Sequence, residues 1–134
     1  MVWQEVDRSD AVRAFDVIQP DPCICGGIGE LVFIAELARL RGVACIPHTC
    51  NGAVALAATL QGLAVLPDST YGRATQAPML EYDWGENPIR TELLTEPIRF
   101  DRGWAVVPTA PGLGVTVDEH FVASRTVQHA ESAR

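Results

Sequence analysis

Phe15-Asp16-Val17-Ile18-Gln19-Pro20-Asp21 and Val43-Ala44-Cys45-Ile46-Pro47-His48 follow one plan: a short apolar run, a proline, then a side chain that can carry a proton. Short apolar runs bounded by turn residues are the pattern of strands buried on both faces, as in a parallel sheet. Proline closes each run because it cannot donate to a ladder. Met79-Leu80-Glu81-Tyr82 supplies a third short run, with Glu81 as its polar residue. Asp21 and His48 are 27 residues apart, and His48 and Glu81 are 33 apart. Either interval accommodates the crossover helix that parallel strands require. Parallel strands would bring all three side chains out on the carboxyl edge of one sheet, where α/β proteins build their sites.

The intervening sequence fits that reading. Over Ile28 to Arg41, Leu31, Ile34, Ala35 and Ala38 recur at helical spacing and define one apolar face. Phe33, Leu37 and Leu40 add a second arc, so the helix is expected to pack on a sheet and on neighbouring helices. Gly26-Gly27 permits a tight turn out of the loop over residues 23–27, and Gly42 is a natural stop. Asn51-Gly52 is expected to cap a second helix from Ala53 to about Val65, ended by Leu66-Pro67-Asp68 and followed by a polar loop over residues 69–78. Ala11 to Ala14 reads as the end of a helix. Beyond Tyr82 the chain turns extended. Glu86-Asn87-Pro88 is turn chemistry, and Ile98 to Phe100 with Trp104 to Val107 reads as a β-hairpin through Asp101-Arg102-Gly103. Pro111-Gly112-Leu113-Gly114 is a further turn before an extended Val115 to Val117. The fold class is α/β, ordered βαβαβ with an extended tail.

With 134 residues the chain suits one domain able to bury about two-thirds of its unfolded surface. A net charge of -7 argues against nucleic acid, whose backbone calls for a basic surface. Met1 to Asp10 lacks the apolar core of a signal peptide, and the apolar stretch Ala53 to Pro67 is broken by Thr59, Gln61 and Gly62 and is too short to span a bilayer. A cytoplasmic protein with reduced thiols and no membrane partner is expected. Cys45-x-x-His48-x-Cys50 beside Cys23-x-Cys25 also admits a small zinc-binding module. These spacings match none of the common zinc patterns, and Cys45 lies within a strand run, which favours buried, inert thiols.

At the strand ends, an aspartate bound to one imidazole nitrogen would fix the tautomer of His48 and leave the other nitrogen to move a proton. Glu81, kept protonated, could donate a hydrogen bond to a developing enolate. Each residue has a plainer role open to it: Asp21 as a turn former between prolines, His48 as a satisfied loop residue, Glu81 as a solvated one. Trp84 follows Glu81 closely enough to line the same pocket, while Trp3 and Trp104 read as core or surface cover. Gly26-Gly27 before a helix lacks the full glycine pattern of nucleotide sites, so close packing of loop and helix is the favoured reading.

Asp16-Val-Ile-Gln-Pro-Asp21, the Gly26-Gly27-Ile28 turn, Gly42 through Pro47-His48 and Leu80-Glu81-Tyr82-Asp83 occur in the order found in the enolase superfamily. The sequence resembles its mandelate racemase/muconate lactonizing enzyme group over residues 15–121, and Pro111-Gly-Leu-Gly114 with Asp118-Glu119 resembles that group's C-terminal end. The resemblance implies the last three βα units of a modified TIM barrel plus an extended tail with a β-hairpin. Residues 1–14 would be irregular, 15–84 the partial barrel (strands six to eight), 85–121 a tail returning to a capping domain, and 122–134 disordered. It assigns Asp21 and His48 to an acid/base dyad, with Glu81 hydrogen-bonded to the substrate carboxylate. The reaction implied is removal of the proton next to a carboxylate, with Mg2+ stabilising the enediolate. The segment Glu81-Tyr-Asp-Trp-Gly-Glu-Asn-Pro88 is most similar to sugar-acid dehydratases and lactone cycloisomerases.

One departure accompanies the match. The group's three acidic metal ligands lie on strands that precede the sixth, Glu5 stands too near Asp21 to replace one, and a whole barrel takes about 250 residues. The expectation is therefore a C-terminal part of a sugar-acid enzyme that is inactive alone and binds no metal tightly. It would present a sheet edge to the missing barrel portion or to another copy of the chain. A non-catalytic remnant or subunit that completes a barrel with another chain is the alternative from a different class.

Overall fold

β1 (Val17–Ile18) and β2 (Ala44–Cys45) pair in parallel, Val17 opposite Ala44 and Ile18 opposite Cys45. The computed structural model that shows this describes residues 15–66 and 77–127. The ladder runs past both strands: Ala44 N–H donates to the Asp16 carbonyl at 3.1 Å, Ile46 N–H to Ile18 at 3.0 Å and His48 N–H to Pro20 at 3.1 Å. Pro20 has no N–H to give, so the bond from His48 carries the register beyond the apolar runs. Asp21 and His48 thus leave the same sheet edge side by side.

Two helices build the layer on this sheet. Asp21 opens α1 (Pro22–Cys25), and Gly26 and Gly27, at φ 117° and 103°, turn the chain into α2 (Ile28–Leu40). Such φ values suit glycine, which has no Cβ to clash. The expected apolar face is the one buried: Leu31, Ile34 and Ala38 are fully enclosed, and Ala35 nearly so. Leu31, Ile34 and Ala38 join Ile18 and Cys25 in a core flanked by Leu37, Val43 and Cys45. Gly42, at φ 73°, ends the helix in a Schellman arrangement, with its N–H on Arg39 and that of Val43 on Ala38. Phe33 and Leu40, expected against neighbouring helices, are 52% and 67% exposed.

α3 (Ala53–Leu63) packs against α2. A Cβ on Gly62 would stand 2.6 Å from Leu31 Cδ2, so this glycine sets how closely the two helices approach. α3 starts at the expected Asn51-Gly52 pair: Gly52 is the cap residue, with no side-chain hydrogen bond to the helix, and the Asn51 amide donates to Asp21. Of the segment 23–27, expected as a loop, Cys23 to Cys25 lie in α1, and Gly26 and Gly27 form the turn that follows.

The third run departs most. Among the described residues Met79 to Tyr82 makes no strand ladder. Thr49 Oγ1 donates to the Glu81 carbonyl, a side-chain tie that cannot set a strand register. The specific arrangement of three strand–helix units is therefore not what the described residues display. Beyond it come α4 (Pro88–Thr91), then β3 (Phe100–Asp101) paired antiparallel with β4 (Trp104–Ala105). Arg102 and Gly103 turn between the two strands at φ 47° and 87°. Of Val115 to Val117, only Val117 bridges, to Leu94. α5 (Glu119–Arg125) is capped by Asp118, which accepts from the N–H groups of His120 and Phe121, so residues 122–125 are helical where disorder was expected. Gln61 on α3 anchors the tail by donating to the carbonyls of Pro108 and Leu113 at 2.8 and 3.3 Å. Among the described residues no helix is long and apolar enough to cross a membrane. The readings of residues 1–14, the loop from 67 to 76 and the end from 128 to 134 lie outside the described residues.

Candidate active site

Asp21 is held from three directions. Aspartate before proline is a strong helix-start signal, because the carboxylate accepts from the first free N–H groups and proline suits the first helical position. Here Oδ1 accepts from Cys23 N–H at 2.8 Å, and the Asp21 carbonyl accepts from Ile24 and Cys25. Oδ2 meets His48 Nδ1 at 3.0 Å and Asn51 Nδ2 at 2.7 Å. The Asp21 side chain is 4% exposed, whereas that of His48 is 35% exposed. A buried carboxylate thus backs a half-open imidazole.

Burial pushes the Asp21 carboxyl upward, yet hydrogen bonds from His48, Cys23 N–H and Asn51, with the imidazole's charge, hold it below the ordinary value. Asp21 therefore stays ionised and can only accept. That assigns the proton on Nδ1 to His48 and leaves Nε2 for proton exchange.

Glu81 is present but is not part of this cluster. Its carboxylate accepts from Gln19 Nε2 at 3.1 Å, and its carbonyl accepts from Thr49. Gln19 lies two residues before Asp21, and Thr49 one after His48. The polar residues beside the dyad are therefore the ones that tether the third segment. Trp84 is 90% exposed and meets Tyr82 edge-on at 5.2 Å, so no pocket encloses it in this chain. Tyr82 also packs on Phe100 at 4.8 Å and beneath the Arg90 guanidinium at 5.6 Å. Arg90, buried, donates to Asp83 at 2.7 Å and to the Gly85 carbonyl, which gives the loop after Glu81 its shape. The Gly85 N–H and Arg90 lower the Asp83 carboxyl below its ordinary value.

Sequence reading alone missed Asn51, Gln19, Thr49 and Arg90. Only for Gln19 was there a signal: two positions from Asp21 on an extended run, it shares that residue's face. Asn51 reads as part of the Asn51-Gly52 cap, and the acceptor of its amide lies 30 residues away in the chain.

The cysteines are all free thiols. Burial pushes Cys45 up to about 12, and raises Cys25 and Cys23, the latter with help from the charge of Asp21. Cys50 is exposed, with Sγ 3.9 Å from His48 Nδ1. Among the described residues no three His, Cys, Asp or Glu side chains are grouped to hold a metal ion. The set in hand therefore does not fit magnesium, whose hard ion wants several oxygen ligands.

Fold and site together define an α/β domain that presents an aspartate–histidine pair at the carboxyl edge of parallel strands. Residues 3–121 match the family described as enolase C-terminal domain-like. The chain belongs to that family, within the mandelate racemase/muconate lactonizing enzyme group of the enolase superfamily. It is 36% identical over 117 residues to D-galactarolactone cycloisomerase of Agrobacterium fabrum, covering 87% of this chain and 30% of that protein. Arabinonate dehydratase of Saccharolobus solfataricus is 34% identical over 105 residues, covering 78% and 26%. Among solved structures, 3,6-anhydro-D-galactonate cycloisomerase from Zobellia galactanivorans superposes with a TM-score of 0.73 at 33% identity, covering 87% of this chain and 31% of that one. The chain thus spans about 30% of the length of such relatives.

Proposed function

We propose that this chain supplies the histidine–aspartate half of an active site that moves the proton α to the carboxylate of a sugar acid, in a dehydration or cycloisomerisation. The observation that carries the reading is the 3.0 Å contact between Asp21 Oδ2 and His48 Nδ1, made by residues that leave adjacent parallel strands. Ionised Asp21 orients the ring and stabilises its protonated form, while Nε2 takes or returns the substrate proton. Pairing of this kind contributes about 10²–10⁴-fold in rate. Glu81, as the protonated acid, donates a hydrogen bond to the substrate carboxylate, and Trp84 covers the substrate once the rest of the barrel encloses it. The two sugar-acid relatives support the substrate class. Magnesium belongs to strands outside this chain in the family, and nothing in His48's role is routed through it. The partner implied is the segment carrying those strands, and the reading places the protein in the cytosol, where its thiols stay reduced.

A chimera tests this: residues 15–121 replace the matching third of the Agrobacterium cycloisomerase. Exchange of the substrate α-proton with deuterated solvent is then followed by NMR. The chimera should exchange, and His48→Gln or Asp21→Asn should abolish or greatly slow it. The chain alone, incubated with a panel of aldonic and aldaric acids and magnesium, should not exchange. Exchange that survives His48→Gln would sink the proposal. A folded but inert chimera would favour a non-catalytic remnant.

A further inference from the structure

Asn51 is the one member of the cluster without an assigned task. Its amide donates to Asp21 Oδ2 at 2.7 Å, the oxygen that also meets His48 Nδ1, while Cys23 N–H holds Oδ1 at 2.8 Å. With a donor on each oxygen, the carboxylate plane cannot rotate freely. The amide is not occupied in capping α3, which starts at Gly52 with no side-chain bond. A carboxylate oxygen has two acceptor positions, and here both are used, one by the amide and one by the ring.

We infer that Asn51 is a positioning residue, which fixes the Asp21 carboxylate in the orientation that meets His48 and shares the charge that Oδ2 presents to the ring. The inference rests on the proton-transfer reading above. Asn51 touches Asp21 and acts on the substrate only through the dyad. Without it, Asp21 keeps the Cys23 N–H on one oxygen and the ring alone on the other, so Oδ2 is held less firmly against Nδ1. The preference of the ring for the proton on Nδ1 then weakens, and Nε2 stands ready as the base for less of the time.

The titratable groups around Asp21 are Cys23 and Cys25 on α1, with His48 and Cys50 on the loop before α3. At neutral pH the Cys23 and Cys25 thiols are held protonated, which leaves the aspartate and the imidazole as the pair to watch.

The test uses the whole chain with isotope-labelled histidine and aspartate. The ¹⁵N shifts of His48 report which ring nitrogen carries the proton, and the ¹³Cγ shift of Asp21 reports its titration. Asn51→Ala and Asn51→Leu both remove the donor, and leucine also keeps the volume. Each should raise the Asp21 midpoint by roughly half a unit or more and lower the Nδ1–H fraction of His48. Asn51→Gln, which retains the amide, should recover at least part of both signals. If the leucine variant folds with both signals unchanged, the inference is wrong. Asp21→Asn separates this from failure of the underlying reading: should it leave the His48 tautomer unchanged, the dyad itself is no proton-transfer pair.

Discussion

Asp21 Oδ2 lies 3.0 Å from His48 Nδ1, across 27 residues of sequence, because the ladder bond from His48 N–H to the Pro20 carbonyl sets the two chain ends side by side. Backbone pairing, rather than the side chains' own attraction, brings the proton-carrying groups together.

Acid should weaken the fold partly through Asp21. Its folded-state value lies below that of the unfolded chain, near 3.9, so the ionised form is favoured by folding. The resulting stability is present above the unfolded value and is lost as pH falls through the folded one. Thermal unfolding from pH 6 to pH 2 should therefore show Asp21→Asn less stable than the parent at pH 6. The gap should close at the acid end, and a pH-independent gap would contradict the argument.

Thiol reactivity should separate the four cysteines. In native protein at pH 8, iodoacetamide should modify Cys50 first and Cys23 more slowly, since burial and the neighbouring Asp21 charge hold the Cys23 thiol protonated. Cys45, pushed up to about 12 by burial, and buried Cys25 should react only after denaturant is added. Peptide mass spectrometry reads the order directly.

Gly62→Ala places a Cβ 2.6 Å from Leu31 Cδ2, and Leu31 is fully enclosed with little room to yield. The substitution also removes a helix-interior glycine, which alone would stabilise by up to about 1 kcal/mol. Overpacking should win, with a net loss of about 1–2 kcal/mol in chemical denaturation. Gly62→Ala with Leu31→Val should recover part of that loss, because the shorter side chain clears the contact.

Gly114 sits at φ 75°, and a Cβ there would meet the Pro108 backbone at 2.8 and 2.9 Å. Backbone cannot yield as a side-chain tip can. Gly114→Ala should therefore release the tail from α3 by breaking the two bonds that Gln61 makes to Pro108 and Leu113. Hydrogen exchange should rise across residues 106–118 while α2 stays protected. Gln61→Leu should give the same pattern in weaker form.

Arg90→Leu should loosen the segment that carries Glu81. The buried guanidinium is the donor to both Asp83 and the Gly85 carbonyl, and it also covers the Tyr82 ring. Its loss should lower the unfolding temperature by several degrees and raise exchange over residues 81–87. Raising the salt concentration should not mimic it, because the cation is buried and screened little.

Much of the architecture was legible locally. Leu31, Ile34, Ala35 and Ala38 encode the buried face of α2 by spacing alone, and Gly26, Gly27 and Gly42 mark its ends by the φ values that only glycine adopts easily. Asp21 and His48 were legible because each follows an apolar run that ends in proline. Met79 to Tyr82 forms no ladder among the described residues because a short apolar run records burial, whereas a strand also needs a register of backbone bonds that lies outside its own sequence. Leu40 reads as a packing residue but is 67% exposed, since periodicity states which face is apolar but not how much of it is covered.

By itself the sequence determined α2, the body of α3, the glycine turns and Asp21 with His48 as candidate proton carriers, because spacing, glycine, proline and side-chain chemistry act within a few positions. Only the tertiary structure decided that the Asn51 amide serves Asp21, that Gln19 and Thr49 hold Glu81, and that Arg90 shapes the loop beyond it. Those pairings join residues distant in the chain. A buried polar atom takes whichever partner the fold brings within about 3 Å, and no local pattern records which one that will be.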